Sequence, residues 1–477
     1  MRVSEYFKLN KTQPYLDFVD IRLDTDTEVF VDPSALRQLN SPWGHECASL
    51  VQSYFETVLS RIRAGNNKDA LSLLSCLNER NEFHLGFSKG KSRGHAFGEK
   101  SAETVWGSLS KSQASISGLL QDLEDTCLLI EGIGKDMISD AVCNILRGPL
   151  IRYTQDMCSY YGIPVTPGVA SGPIWNPERE IWESSFVSLP MTNEGKVILI
   201  PKVIVRLRLS YRYDEYYSHY LLPVMQREEI EARTGLVHFL KDGTPRVTKK
   251  SLRAKYGADK LAVVEQTLKR PTILEKYKAE KEEEVNAPLV HELLSDVEAT
   301  DIPDWSGLLA ELQGCKTGRD YASQYEEIIE RILSALFYPS LCHPQKQHKI
   351  HGGRKRIDIT YSNEARSGFF NWVSLHYPSA FIFVECKNYG KEIGNPELDQ
   401  LAGRFSPSRG KVGMLVFRSI DDAERLFRSC KDTAGDDRGF ILTLTDAEIE
   451  QLLLEAQSTS GPPTYQLLKD KFSRLVS

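Results

Sequence analysis

Phe381-Ile-Phe-Val-Glu-Cys-Lys-Asn388 is the stretch on which the reading of the last third of the chain turns. Four apolar residues in a row have the length and content of a buried strand. Such a strand continues with apolar residues or ends in a turn, yet this one presents Glu385 and then Lys387. A period of two sends both side chains to the same face of a sheet. An acid and a base together at the end of a buried strand are costly unless something uses them. The plain alternative is a surface salt bridge on an ordinary α/β domain.

Upstream, Arg356-Ile-Asp-Ile-Thr-Tyr361 is a shorter strand whose alternation sets Asp358 on the face opposite its isoleucines. If the two strands are neighbours, Asp358 and Glu385 lie side by side. Two close carboxylates repel, and a divalent cation relieves them. Mg²⁺ favours a few carboxylates plus waters. An ion held by Asp358 and Glu385 would polarise a phosphate and lower the pKa of a bound water. Lys387 would orient that water or neutralise charge on the phosphate.

The surrounding pattern alternates helices and strands. A helix is expected over Tyr321–Phe337, then strands and loops to Asn388, a helix over Pro396–Phe405 and a strand over Gly410–Phe417. A helix over Asp421–Cys430, a strand over Gly439–Leu444 and a helix over Asp446–Ala456 follow, the last opened by a Thr445/Glu448 capping box. This order predicts an α/β domain with a mixed central sheet flanked by helices.

Asp358 followed by Glu385-Cys386-Lys387 resembles the motif of the PD-(D/E)xK superfamily of restriction-endonuclease-like nucleases, and the helix containing Tyr325-Glu-Glu-Ile-Ile-Glu-Arg-Ile-Leu333 resembles the one that opens the core of its Mrr-like members. The resemblance covers residues 319 to about 457. It departs at Asp358, which no proline precedes. It implies a restriction-endonuclease-like fold and a Mg²⁺-dependent nuclease, with Mn²⁺ as a substitute ion. A helix glutamate often completes the metal site in that family. The stripe of Tyr325, Ile328, Ile329, Ile332, Leu333 and Leu336 leaves Glu326 at its edge, with Glu330 the reserve and Glu327 pointing away. Gln400, in Asp399-Gln-Leu-Ala-Gly-Arg404, takes the place of the family's accessory glutamine. The implied catalytic set is Glu326, Asp358, Glu385, Lys387 and Gln400, and the implied metal ligands are Asp358, Glu385 and Glu326. By the same analogy the setting is bacterial restriction or anti-phage defence, the substrate DNA rather than RNA, and the active form a homo-oligomer under a regulatory partner. The rival is a non-catalytic nucleic-acid-binding protein on the same fold.

Lys346, Lys349, Arg354, Lys355 and Arg356 lead into the Asp358 strand as a basic loop suited to a phosphate backbone. Lys349, Arg354, Lys355, Arg356 and Arg404 are the expected nucleic-acid contacts. Cys342, His343, His348 and His351 lack the spacing of paired zinc ligands. Arg206 to Tyr217 mixes arginines with tyrosines, a packing surface by preference over a base-stacking one.

The other two thirds are less specific. Residues 1–165 read as a mainly helical domain, with helical runs over Cys47–Ile62 and Ile116–Leu129 and Ser139 or Asp140 capping a later helix. Residues 166–190 read as loop, 195–205 as a buried strand, and the rest of 166–300 as a charged helical connector; 301–477 is the nuclease-like unit. The chain has 477 residues, enough for two to four domains, and a formal net charge of -6, which excludes a wholly basic nucleic-acid binder. No signal peptide or spanning segment is expected, and nine scattered cysteines suit reduced thiols, so the expectation is a cytoplasmic protein with no membrane partner.

Overall fold

The computed structural model describes residues 1–477 except 78–80, 87–103, 106, 111, 284–286, 351–354, 389–392 and 459–463. It is a mixed α/β structure whose largest sheet lies near the C-terminus.

The C-terminal unit begins with helices α1 (Trp305–Gly314) and α2 (Ala322–Phe337). It continues as β1 (Leu341–Ile350), β2 (Lys355–Asn363), α3 (Gly368–His376), β3 (Phe381–Lys387), α4 (Asn395–Ala402), β4 (Val412–Phe417), α5 (Ala423–Gly435), β5 (Phe440–Thr445), α6 (Asp446–Ser458) and α7 (Gln466–Val476). The strands lie in sequence order, antiparallel from β1 to β3 and parallel from β3 to β5. The two parallel steps run through α4 and α5, since parallel neighbours need crossover connections.

Strand alternation explains the layers. Ile359, Tyr361, Ile382, Val384, Met414 and Leu444 pack with α1, α2, α3, α6 and most of α7 on one face. Phe383, Leu415, Phe417 and Ile441 pack with α4 and α5 on the other. Glu385 shares the parity of Phe383, so it sits on the α4 side. Thr445 and Glu448 cap α6 reciprocally, each backbone N–H bonding to the other's side chain.

The first 300 residues do not divide as cleanly. One hydrophobic core runs from Val3 to Leu294 and takes in Tyr338 and Cys342 as well, so residues 1–165 and 166–300 share it. Cys47–Ile62 lies inside a helix spanning Pro42–Arg63. The run over Ile116–Leu129 is broken: helices cover Gln113–Ser117 and Asp125–Leu129, and Gly118 between them has a φ of 84°. Ser139 does not cap a helix; it lies within Lys135–Ile145, and its hydroxyl accepts the Val31 N–H. Residues 166–190 are not loop but two small antiparallel ladders, Thr166–Ala170 with Phe186–Leu189 and Ile174–Asn176 with Ile181–Glu183. In 195–205 only the ends are strand; the buried middle turns through a short helix at Lys202–Ile204. The tyrosines after Arg206 pack: Tyr211, Tyr216 and Tyr220 surround Tyr277. No helix among the described residues is long and apolar enough to cross a membrane. All nine cysteines are free thiols.

A buried polar seam joins the two parts. Glu330 on α2 is wholly buried; its carboxylate accepts from Lys11 Nζ at 2.8 Å and Tyr160 Oη at 2.6 Å. Asp17 accepts the His343 N–H at 2.9 Å, and Glu364 accepts the N–H groups of Asn40 and Ser41. Burial lowers the Lys11 pKa, and Glu330 opposes that shift. Removing one member of a buried ion pair strands the other, at about 3–5 kcal/mol. Glu330→Ala is therefore expected to lower unfolding free energy in urea by about that much. A loss under ~1 kcal/mol, the range of an exposed pair, is the contrary result.

Candidate functional site

The site forms where β2 and β3 part. Their last ladder pair is Ile359 with Val384. One residue further, Asp358 no longer pairs through its backbone; its Oδ2 accepts the Cys386 N–H at 2.9 Å. Glu385, 1% exposed, is ringed by donors. Lys387 Nζ reaches Oε1 at 2.7 Å, Gln400 Nε2 reaches the same oxygen at 2.8 Å, and Arg404 Nη1 takes Oε2. Lys387 and Gln400 also touch, at 3.4 Å. Three side chains from β3 and the end of α4 thus converge on one carboxylate.

Asn388 fixes the approach of α2. Its Nδ2 donates to the carbonyls of Lys316 and Gly318, and the Gly318 N–H donates back to its carbonyl. The turn before α2 is thereby tied to the end of β3. Glu326, on the first turns of α2, faces the same opening. Its carboxyl is raised from 4.5 to about 7, first by burial and next by the charge of Asp358, with Lys346 opposing. Lys346 Nζ also lies 3.9 Å from Glu330, between the opening and the seam.

The expected residues gather in two clusters bridged by Arg404. Burial and Asp358 raise the Glu326 carboxyl, and Asp358 also lies in the field of the Arg404 guanidinium. Glu385, Lys387 and Gln400 form a hydrogen-bonded cluster joined by Arg404. Arg404, expected to meet phosphate, is 5% exposed and neutralises Glu385 instead. Asn388 stands outside the expected set, and Lys346, expected only as part of a basic loop, faces Glu326 and Glu330. Of the basic segment before Asp358, Lys346 and Lys349 belong to β1 and Lys355 and Arg356 to β2, and so lie on strands and not on a loop. The side chains of Lys349, Lys355 and Arg356, and the whole of Arg354, lie outside the described residues, as do His351 and the side chain of His348. Cys342 is buried against the Pro339 carbonyl, and His343 packs on Tyr153.

A divalent ion is implied only by the motif, and the residues present fit it in part. The donors suit a hard cation, being carboxylates throughout. Glu326 and Asp358 form a partly buried like-charge pair, the arrangement a cation relieves. Against this, both Glu385 oxygens are engaged by cations and an amide. Among the described residues no three His, Cys, Asp or Glu side chains gather closely enough to hold a metal ion. The fit is thus to a two-carboxylate site at Asp358 and Glu326, with Glu385 alongside.

A family model described as a domain of unknown function, DUF8370, matches residues 8–212. It takes in Lys11 and Tyr160 of the seam but none of the C-terminal sheet. No curated protein and no solved structure matches the chain.

The raised Glu326 carboxyl has a defined pH signature. The folded protein retains a proton that the unfolded chain releases, so stability from this group is complete below about pH 4.5 and is lost as pH rises through about 7. Glu326→Gln is expected to match the parent's Tm near pH 4.5 and exceed it at pH 8. Equal Tm values at pH 8 would show that burial and Asp358 do not raise the Glu326 carboxyl.

Proposed function

We propose that the C-terminal unit is a metal-dependent nuclease of restriction-endonuclease-like fold, acting on phosphodiester bonds of nucleic acid, DNA by preference. The observation that carries the reading is the opening where β2 and β3 part: Glu326, its carboxyl raised by burial and by Asp358, and Lys387 held by Glu385 and Gln400. The order of the strands, with α2 before the sheet and α4 after β3, agrees with that fold.

In this reading Asp358 and Glu326 would hold Mg²⁺ or Mn²⁺, and Glu385 would join as a third oxygen donor. The ion would supply Lewis acidity toward a phosphate oxygen and acidify a bound water. The chain's own work is positional. Glu385 and Gln400 fix the Lys387 ammonium at the mouth, where it faces an anionic phosphate and the charge that grows on it. Arg404 orients Glu385 from below and balances its charge. Asn388 holds α2, and so Glu326, in register with β3.

One feature favours a second reading. Glu385 is fully satisfied by Arg404, Lys387 and Gln400, as in a structural salt bridge, and a binding protein built on the same fold needs no more. Incubation with supercoiled plasmid and Mg²⁺ separates the two. Wild type is expected to nick or linearise the plasmid, EDTA to abolish cutting, and Asp358→Ala and Lys387→Ala each to lower the rate at least ~100-fold, the scale of a lost general-acid/base or electrostatic group. Equal cutting by both variants and wild type assigns the activity elsewhere. Wild type that binds DNA but leaves plasmid and single-stranded DNA and RNA uncut with Mg²⁺ or Mn²⁺ favours the binding role.

A further inference from the structure

The segment Phe239-Leu-Lys-Asp-Gly-Thr-Pro-Arg-Val-Thr-Lys-Lys-Ser-Leu-Arg-Ala-Lys-Tyr256 stands apart in charge. Six of its residues are Lys or Arg and one is acidic, in a chain of net charge -6. It folds as a small hairpin followed by a helix. His238–Phe239 pairs with Pro245–Arg246, and the turn closes through Leu240, Gly243 and Thr244, with Gly243 at a φ of 83°. The helix covers Lys249–Tyr256 and is capped by Thr248. Val247 and Leu252, both buried, root it in the first core.

Three of the six cations have local roles. Lys249 donates to the Ser218 carbonyl, Arg253 donates to the Ser218 hydroxyl and lies over the Tyr217 ring, and Lys255 pairs with Glu229. Lys241, Arg246 and Lys250 are exposed, and their side chains have no ion pair or hydrogen bond among the described residues. Beside them Phe239 is 72% exposed. An aromatic face set among unpaired cations, on an otherwise acidic molecule, is complementary to a strand carrying both bases and phosphates. An anionic membrane would also attract the cations. However, Phe239 and Leu240 are the only large apolar side chains the hairpin exposes, which is little area for insertion.

We infer that the hairpin and helix of residues 238–256 form a second nucleic-acid-binding surface, in which Lys241, Arg246 and Lys250 hold phosphates of an unpaired strand and Phe239 stacks on a base. The surface lies outside both the DUF8370 match and the C-terminal sheet. It rests on charge and exposure and is independent of whether the β2–β3 opening cuts.

The test is anisotropy of a fluorescein-labelled 20-nucleotide oligo(dT) titrated with the full-length protein in EDTA, where metal-dependent cleavage cannot contribute, over a range of KCl concentrations. Neutralising one cation that holds a phosphate lowers the salt slope by about 0.7. The triple variant Lys241→Gln/Arg246→Gln/Lys250→Gln is expected to lose about 2 units of slope. Phe239→Ala is expected to weaken binding about 5- to 150-fold, from the worth of one stacked base. Circular dichroism and Tm of all variants should match wild type, since the four side chains are exposed. Equal affinity and slope in wild type and triple variant overturn the inference, as does absence of oligonucleotide binding by wild type. So does wild-type binding to phosphatidylserine vesicles without binding to oligo(dT), which assigns the surface to a membrane. Loss of plasmid cutting in Asp358→Ala with oligo(dT) binding intact keeps the two readings separate.

Discussion

A carboxylate removed from water at the end of a central strand dictates the construction around it. Glu385 is held at that depth by the sheet, because Phe383 before it and Leu415 beside it belong to the core. An isolated buried carboxylate is not tolerated; it must be paired and hydrogen-bonded or give up its charge. Arg404, Lys387 and Gln400 meet that demand from two elements. The place where α4 ends, the direction of β3 and the order of the mouth are then one problem with one solution. Losing Arg404 leaves Oε2 without its donor, whereas Oε1 is held by both Lys387 and Gln400.

The opposite side of the opening is built on the reverse principle. Burial and the charge of Asp358 raise the Glu326 carboxyl, and Lys346 opposes that shift without cancelling it. Arg404 lies in the field of Asp358 while it pairs with Glu385, so one guanidinium serves two carboxylates.

Much of this geometry is legible in the sequence, and for a clear reason. Period two puts Glu385 with Lys387, and the edge of an apolar helical stripe sets Glu326 half-buried, because both follow from local spacing. Thr445 with Glu448 is legible on the same ground. What escapes depends on partners far away in the chain. Arg404 reads as a helix cation free to meet phosphate until α4 ends at Ala402 and its guanidinium turns onto Glu385. Glu330 looks like a helix-edge acid until Lys11 and Tyr160 arrive. The hairpins in 166–190 escape because proline and glycine mark a turn without saying whether strands flank it. The basic run before Asp358 reads as a loop because charge outweighs its alternation, whereas an edge strand such as β1 readily carries lysines.

The seam at Glu330 also has a temporal side. Lys11 and Glu330 lie 319 residues apart, and at 5–20 residues per second roughly 15–65 s of synthesis separate them. Lys11 waits in water at no cost, whereas Glu330 requires its partners as soon as α2 packs. Lys11 and Tyr160 are both synthesised before Glu330, so the partners of that carboxylate are already present when α2 is made.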